Sequence, residues 1–352
     1  MAIIPSDINT GSRIVRKKYR PDNSLQTSKV VVVTGASAGV GRAIAAEFAA
    51  EGAKLGLLAR GTDGLEGARR DVEAAGGVAL TIPTDVADAN QVEAAAESIE
   101  RQLGPIDIWV NCAMTTVFAR FIEIDAEEFK RVTEVTYLGY VYGTMAALKR
   151  MYSRNRGTII QVGSALAYRS IPLQSAYCGA KHAIAGFTDS IRTEVFHDRK
   201  DIHLTMVLLP AMNTPQFDWC KTKMPRHPQP VPPIYEPEIA ARAIVWASHH
   251  RRREVSVGMP TILAVWGNKF IPGLLDRYLG ASAFASQQTN EPVSSDRPNN
   301  LFKPLPGDHG AHGSFGSRSA KRSIQSWVNR HRLTAAAAAA CVIAATVDNL
   351  RN

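Results

Sequence analysis

From residue 29 to residue 258, short runs rich in β-branched residues alternate with longer stretches of helical spacing. That alternation constrains the fold more than any other feature of the chain. "KVVVV" at 29–33 is apolar without interruption, as a strand buried on both faces of a parallel sheet requires. "RAIAAEFAAEGA" follows, with Ile44 and Phe48 one turn apart and Gly52 at its end. Further strands are predicted at 54–59 "KLGLLA", 78–83 "VALTIP", 106–110 "IDIWV", 157–164 "GTIIQVGS", 203–210 "HLTMVLLP" and 254–258 "EVSVG". Helical spacing fills 65–75, 89–103, about 126–152, the stretch around Tyr177, and about 237–248. Parallel strands need crossover connections. Seven strands with six helices therefore predict an α/β fold, a doubly wound parallel sheet with helices on both faces.

Two regions break the pattern. Residues 214–235 hold "MPRHPQPVPP", too rich in proline for a helix, and a loop of this length in a compact domain usually covers something. The expected organisation is a polar leader at 1–28, a domain at 29–264 with this loop inside it, a largely irregular extension at 265–332, and an Ala-rich apolar tail helix at 333–352. The extension includes "DHGAHG", whose His309 and His312 are read as solvated rather than metal-bound; no metal is expected. The apolar run at 333–347, 15 residues, would span about 22 Å as a helix, short of a hydrocarbon core of about 30 Å. Membrane association through it is the less favoured reading.

With 45% apolar residues the chain is globular, and its net charge of +9 is scattered in short groups such as Arg16–Lys18 and Arg251–Arg253. No basic stripe interleaved with aromatics appears, so nucleic-acid binding is not expected. Cys112, Cys178, Cys220 and Cys341 form no C-x-x-C pair, and the N-terminus has no apolar signal run. Both observations point to a reducing, cytoplasmic setting.

"VTGASAGVGRA" joins the first strand to the first helix through Gly35, Gly39 and Gly41. Missing Cβ atoms let a backbone turn tightly against a pyrophosphate, while the helix N-terminus offers unpaired N–H groups to its charge. Ser37, Val40 and Arg42 belong to the same turn. About 20 residues on, where an acid would bind a ribose 2′-hydroxyl, stand Ala59 and Arg60. An arginine there suits a 2′-phosphate, so NADP(H) is the expected cofactor, with NAD(H) possible.

"SAYCGAK" sets Tyr177 and Lys181 four residues apart, about one helical turn, on one face. A lysine beside a tyrosine favours the phenolate, which makes Tyr177 a candidate proton donor or acceptor.

Together the glycine turn and the Y-x-x-x-K pair resemble the short-chain dehydrogenase/reductase family, over roughly two-thirds of the chain, 29–258. The resemblance implies a Rossmann-type sheet and hydride transfer between a nicotinamide and a carbonyl or alcohol. Ser164, 13 residues before Tyr177, falls on the family's catalytic serine, with Tyr177 and Lys181 on the other catalytic positions. Asp85 and Val86 of "TDV" match an adenine-contacting aspartate and its neighbour, and Asn111 and Ala113 of "NCAM" lie on the strand under the cofactor. Three positions depart from the family pattern. Thr136 stands where many relatives have a catalytic asparagine, Met114 replaces a glycine, and Leu209–Pro210 replaces Pro-Gly before Thr214. Pro210 and Thr214 would face the nicotinamide carboxamide.

The loop after Thr214 takes the family's substrate-loop position, and its Phe217, Trp219 and Met224 suit either an apolar substrate or the loop's own packing. The resemblance also implies a homodimer or tetramer. Two other functions stay open at this point: a cofactor-binding regulator that has lost turnover, and a membrane-docked reductase of lipophilic substrates.

Overall fold

The computed structural model describes residues 28–294, 296–332 and 334–335. The leader and nearly all of the tail helix, including most of 333–347, lie outside the described residues.

Seven strands form one parallel sheet: β1 (Val30–Thr34), β2 (Lys54–Ala59), β3 (Val78–Pro83), β4 (Ile106–Asn111), β5 (Gly157–Ser164), β6 (Ile202–Leu209) and β7 (Glu254–Ser256). Their spatial order is β7-β6-β5-β4-β1-β2-β3, and every neighbouring pair is parallel. The order reverses direction between β1 and β4, the switch point at which doubly wound sheets open a crevice beyond their C-terminal ends. The chain has the Rossmann-type α/β fold that the alternation predicts.

Among the described residues, the α-helices longer than four residues are α1 (Gly39–Ala50), α2 (Thr62–Ala74), α3 (Ala89–Leu103), α4 (Ala126–Thr133), α5 (Gly139–Arg154), α6 (Ser175–His197), α7 (Pro237–His249), α8 (Met259–Phe270), α9 (Pro272–Ser286) and α10 (Ile324–Arg330). Side chains alternate across a strand, so β1 feeds two cores. Val31 and Val33 pack with Ile44, Phe48 and Ile244 of α1 and α7; Val30 and Val32 pack with Val92, Ile99 and Met151 of α3 and α5.

Two expectations need correction. The helical stretch at 126–152 is not continuous: a π-helical turn at Glu134–Leu138 separates α4 from α5. Such turns recur at functional sites, and this one carries Thr136. The extension is not irregular from its start, because α8 and α9 occupy 259–286. Both begin with proline in the first turn, a helix-start signal the sequence contains. After α9, Gln288–Pro292 pairs antiparallel with Arg226–Pro228 and so fastens the extension to the proline-rich loop. Among the described residues, no helix is long and apolar enough to cross a membrane.

Candidate active site

Beyond the C-terminal ends of β1, β4 and β5 lies a cavity of about 620 Å³. The glycine turn lines one part of it; Ser164, Tyr177 and Lys181 line another.

The turn is built by close approach. Gly35 has φ +70, and a Cβ there would lie 2.7 Å from the Ala113 Cα. A Cβ on Gly41 would overlap the Gly35 carbonyl. Thr34 Oγ1 accepts the amides of Cys112 (2.9 Å) and Ala113 (3.1 Å), which ties the turn to the end of β4. The first turn of α1, with Gly39, Val40 and Gly41 on the cavity wall, thus presents amides that have no acceptor inside the helix. Ser37, Asp85, Val86, Ala113, Pro210 and Thr214 also reach the cavity. A cradle closed to any Cβ beside a helix N-terminus fits the pyrophosphate of a dinucleotide.

At the other end, Ser164 closes β5, and Tyr177 and Lys181 stand one turn apart on α6. Lys181 is 2% exposed. Its Nζ donates to the Tyr140 hydroxyl at 3.0 Å and to the Val162 carbonyl at 2.8 Å, and it lies 5.5 Å from the Tyr177 ring centre. Burial lowers the ammonium to about 8. The expected depression of Tyr177 by Lys181 does not occur here: burial raises the phenol above its ordinary value, against a lowering by its hydrogen bond with Ser164. Desolvation penalises the charged form of each group and is the largest influence on both. Burial thus favours the protonated form of the Tyr177 phenol. Ser164 Oγ also accepts the Leu166 amide at 3.1 Å, which fixes its rotamer.

Three expected site residues do not line the cavity. Thr136 is fully buried; its Oγ1 donates to the Thr115 carbonyl (2.8 Å) and accepts the Thr115 amide (3.0 Å). With its proton committed, this hydroxyl ties the π turn to the segment after β4. Asn111 is an interior junction: it accepts from Trp109 Nε1 and donates towards Gln161, Thr144 and the Tyr140 carbonyl. Arg42 pairs with Asp71 at 2.6 Å and with Asp308 of the extension.

Asp85 accepts from Arg131 at 2.5 Å. Phe217 and Trp219 line the cavity, whereas Met224 packs against Phe118, Leu173 and Cys220. The loop histidines are tethered: the His309 ring meets that of Trp219 at 4.8 Å, and His312 reaches Glu238 at 2.7 Å.

Sequence reasoning missed Tyr140, Arg131 and the whole contribution of the extension. Asn300, Pro304, Leu305, Gly307 and His309 form part of the wall beside the glycine turn and Arg60. The tyrosines of "YLGYVYG" were visible, but only the register set by the π turn aims Tyr140 at Lys181.

Compared with known proteins, the chain matches the family profile described as short chain dehydrogenase over residues 29–223. It is 31% identical over 278 residues to an uncharacterized oxidoreductase, YxnA, of Bacillus subtilis, a match covering 78% of each chain. A 3-dehydrosphinganine reductase of Danio rerio is 36% identical over 192 residues, 53% of this chain and 57% of that protein. The human dehydrogenase/reductase SDR family member 7 is 35% identical over 180 residues, 50% of this chain and 53% of that protein. The chain thus spans about half the length of these two animal relatives.

Proposed function

Because this chain belongs to the short chain dehydrogenase family of oxidoreductases, we propose that it reduces a lipophilic carbonyl at the expense of NADP(H), with Tyr177 as general acid and, in reverse, general base. The observation that carries the reading is the convergence of the glycine turn with Ser164, Tyr177 and Lys181 on one cavity.

A bound nicotinamide would supply the hydride. The chain's own residues do the rest. The amides of Val40 and Gly41 in the first turn of α1 hold the pyrophosphate, and Arg60 faces the 2′-phosphate. Ser164 Oγ donates to the substrate oxygen as negative charge develops there. The Tyr177 phenol, kept protonated by burial, passes its proton to that oxygen. Lys181, fixed by Tyr140 and the Val162 carbonyl, holds a positive charge beside the phenol as the proton leaves.

An apolar substrate is favoured by the cavity lining, which includes Ile171, Phe217, Val231 and Leu279. The relative named 3-dehydrosphinganine reductase makes that ketone the first to try. A homo-oligomer through α5 and α6 fits the exposure of Met145 and Phe196, 62% and 70%.

The test is loss of NADPH, and separately NADH, with 3-dehydrosphinganine and a panel of simpler ketones and aldehydes. Turnover that prefers NADPH and rises with substrate chain length is expected. Turnover with NADH alone would overturn the cofactor assignment. Binding of cofactor with no turnover across the panel would favour a regulator over an enzyme.

A further inference from the structure

Arg60 lines the cavity, yet its hydrogen bonds go to neutral groups. Its Nη1 donates to the carbonyls of Leu301 (3.3 Å) and Phe302 (3.0 Å), and its Nη2 donates to the Asn300 carbonyl at 2.5 Å. Three consecutive carbonyls hold the guanidinium, and the charges that act on it, Arg131 and Asp85, are paired with each other. Leu301 O also accepts from Arg131 at 3.3 Å.

The segment that supplies these carbonyls is pinned a few residues further on. Asp308 accepts from Arg42 on α1 and from Arg70 on α2, the latter at 3.2 Å. The Gly307 amide donates to Asp63 (2.7 Å), the Gly39 amide to the Gly310 carbonyl (3.1 Å), and the Gly313 amide to the Asn213 carbonyl (3.3 Å). The sequence of α2 is shaped to the pin. Gly67 sits inside the helix, where glycine is unfavourable, and a Cβ there would overlap the Asp308 carboxylate. Two arginines already neutralise that carboxylate, so it sets up little repulsion against a phosphate.

We propose that residues 300–313 form a strap that positions Arg60 for the 2′-phosphate of NADP(H), with Asp308 as the positioning residue that holds the strap down. This rests on the NADP(H) reading above and adds to it a second stretch of chain that sets cofactor choice. A free arginine must be ordered before it can grip a phosphate with two N–H groups; one already held by carbonyls loses less freedom on binding. The uncharged 2′-hydroxyl of NAD(H) gains little from the same arrangement.

The experiment is fluorescence titration of NADPH and of NADH into the full-length chain, for wild type, Asp308→Asn, Gly67→Ala, Arg60→Ala and the double variant Gly67→Ala/Arg60→Ala. Asp308→Asn removes the charge of the pin. Gly67→Ala pushes the carboxylate away while raising helix propensity, so a loss cannot come from a weakened α2. Each single change at the pin is expected to weaken NADPH about tenfold and NADH less than about twofold. Once Arg60 is gone, adding Gly67→Ala should cost almost nothing more, because both act on one interaction.

Equal weakening of both cofactors, an unchanged ratio in both pin variants, or additive losses in the double variant would overturn the strap's role alone. Tighter NADPH binding in the pin variants would also overturn it, and would make the strap a barrier instead. A wild type that binds neither dinucleotide would overturn the cofactor reading itself and this inference with it.

Discussion

The Lys181 ammonium donates to the phenol oxygen of Tyr140 at 3.0 Å, and the same phenol donates to the Val162 carbonyl at 2.9 Å. A buried cation thus has two oxygen acceptors other than Tyr177, its expected partner. Tyr140→Phe removes one of them and leaves the packing intact. A hydrogen bond to a charged group is worth about 1.5 kcal/mol, so the lysine should lose its proton about one pH unit lower. In the variant, the alkaline limb of the pH–activity profile should move down by that amount; an unmoved limb would show that Tyr140 does not support the charge.

Thr136 makes a different kind of contact. Its hydroxyl pairs with both the amide and the carbonyl of buried Thr115. Thr136→Val strands those two backbone groups, at a cost of about 1–3 kcal/mol for each group left unpaired. Urea unfolding should show a loss of this order, while the folded fraction keeps activity within about threefold, far less than removal of a proton-transfer group costs. A large fall in turnover with unchanged stability would restore the catalytic role that the resemblance assigns to this position.

His203, on β6, gives a pH dependence with a definite sign. Burial, reinforced by Arg251 and Arg192, lowers its pKa from 6.5 to about 4. The unfolded chain therefore takes up a proton that the folded chain refuses. The neutral ring's contribution to stability is present above pH 6.5 and is lost as the pH falls through about 4. His203→Leu has no such proton to bind, so its melting temperature should decline less than wild type across that interval. Parallel declines would contradict the assignment.

The sheet was legible because each strand is a local apolar run and each crossover a local periodic one. The glycine turn and the spacing of Ser164, Tyr177 and Lys181 were legible for the same reason: each is a short pattern with one geometric meaning. What escaped was set at long range. The partners of Arg60 lie about 240 residues downstream, and no feature near "LLARG" announces them. The ion pairs of Arg42 with Asp71 and Asp308 escaped for the same reason. The rise in the Tyr177 pKa reflects burial, which a spacing argument does not measure. The starts of α8 and α9 were readable, in "MPTILAVW" and "PGLLDRYL", but the end of the β/α alternation obscured them.

The most direct test of the account compares wild type with Tyr177→Phe on whichever ketone turns over, measuring the steady-state rate and the NADPH dissociation constant in the same preparations. The ring stays and only the donor hydroxyl goes. The account predicts a fall in rate of about 10²–10⁴-fold with NADPH binding changed by less than about twofold. A rate within about threefold of wild type, with binding intact, would contradict Tyr177 as the proton donor.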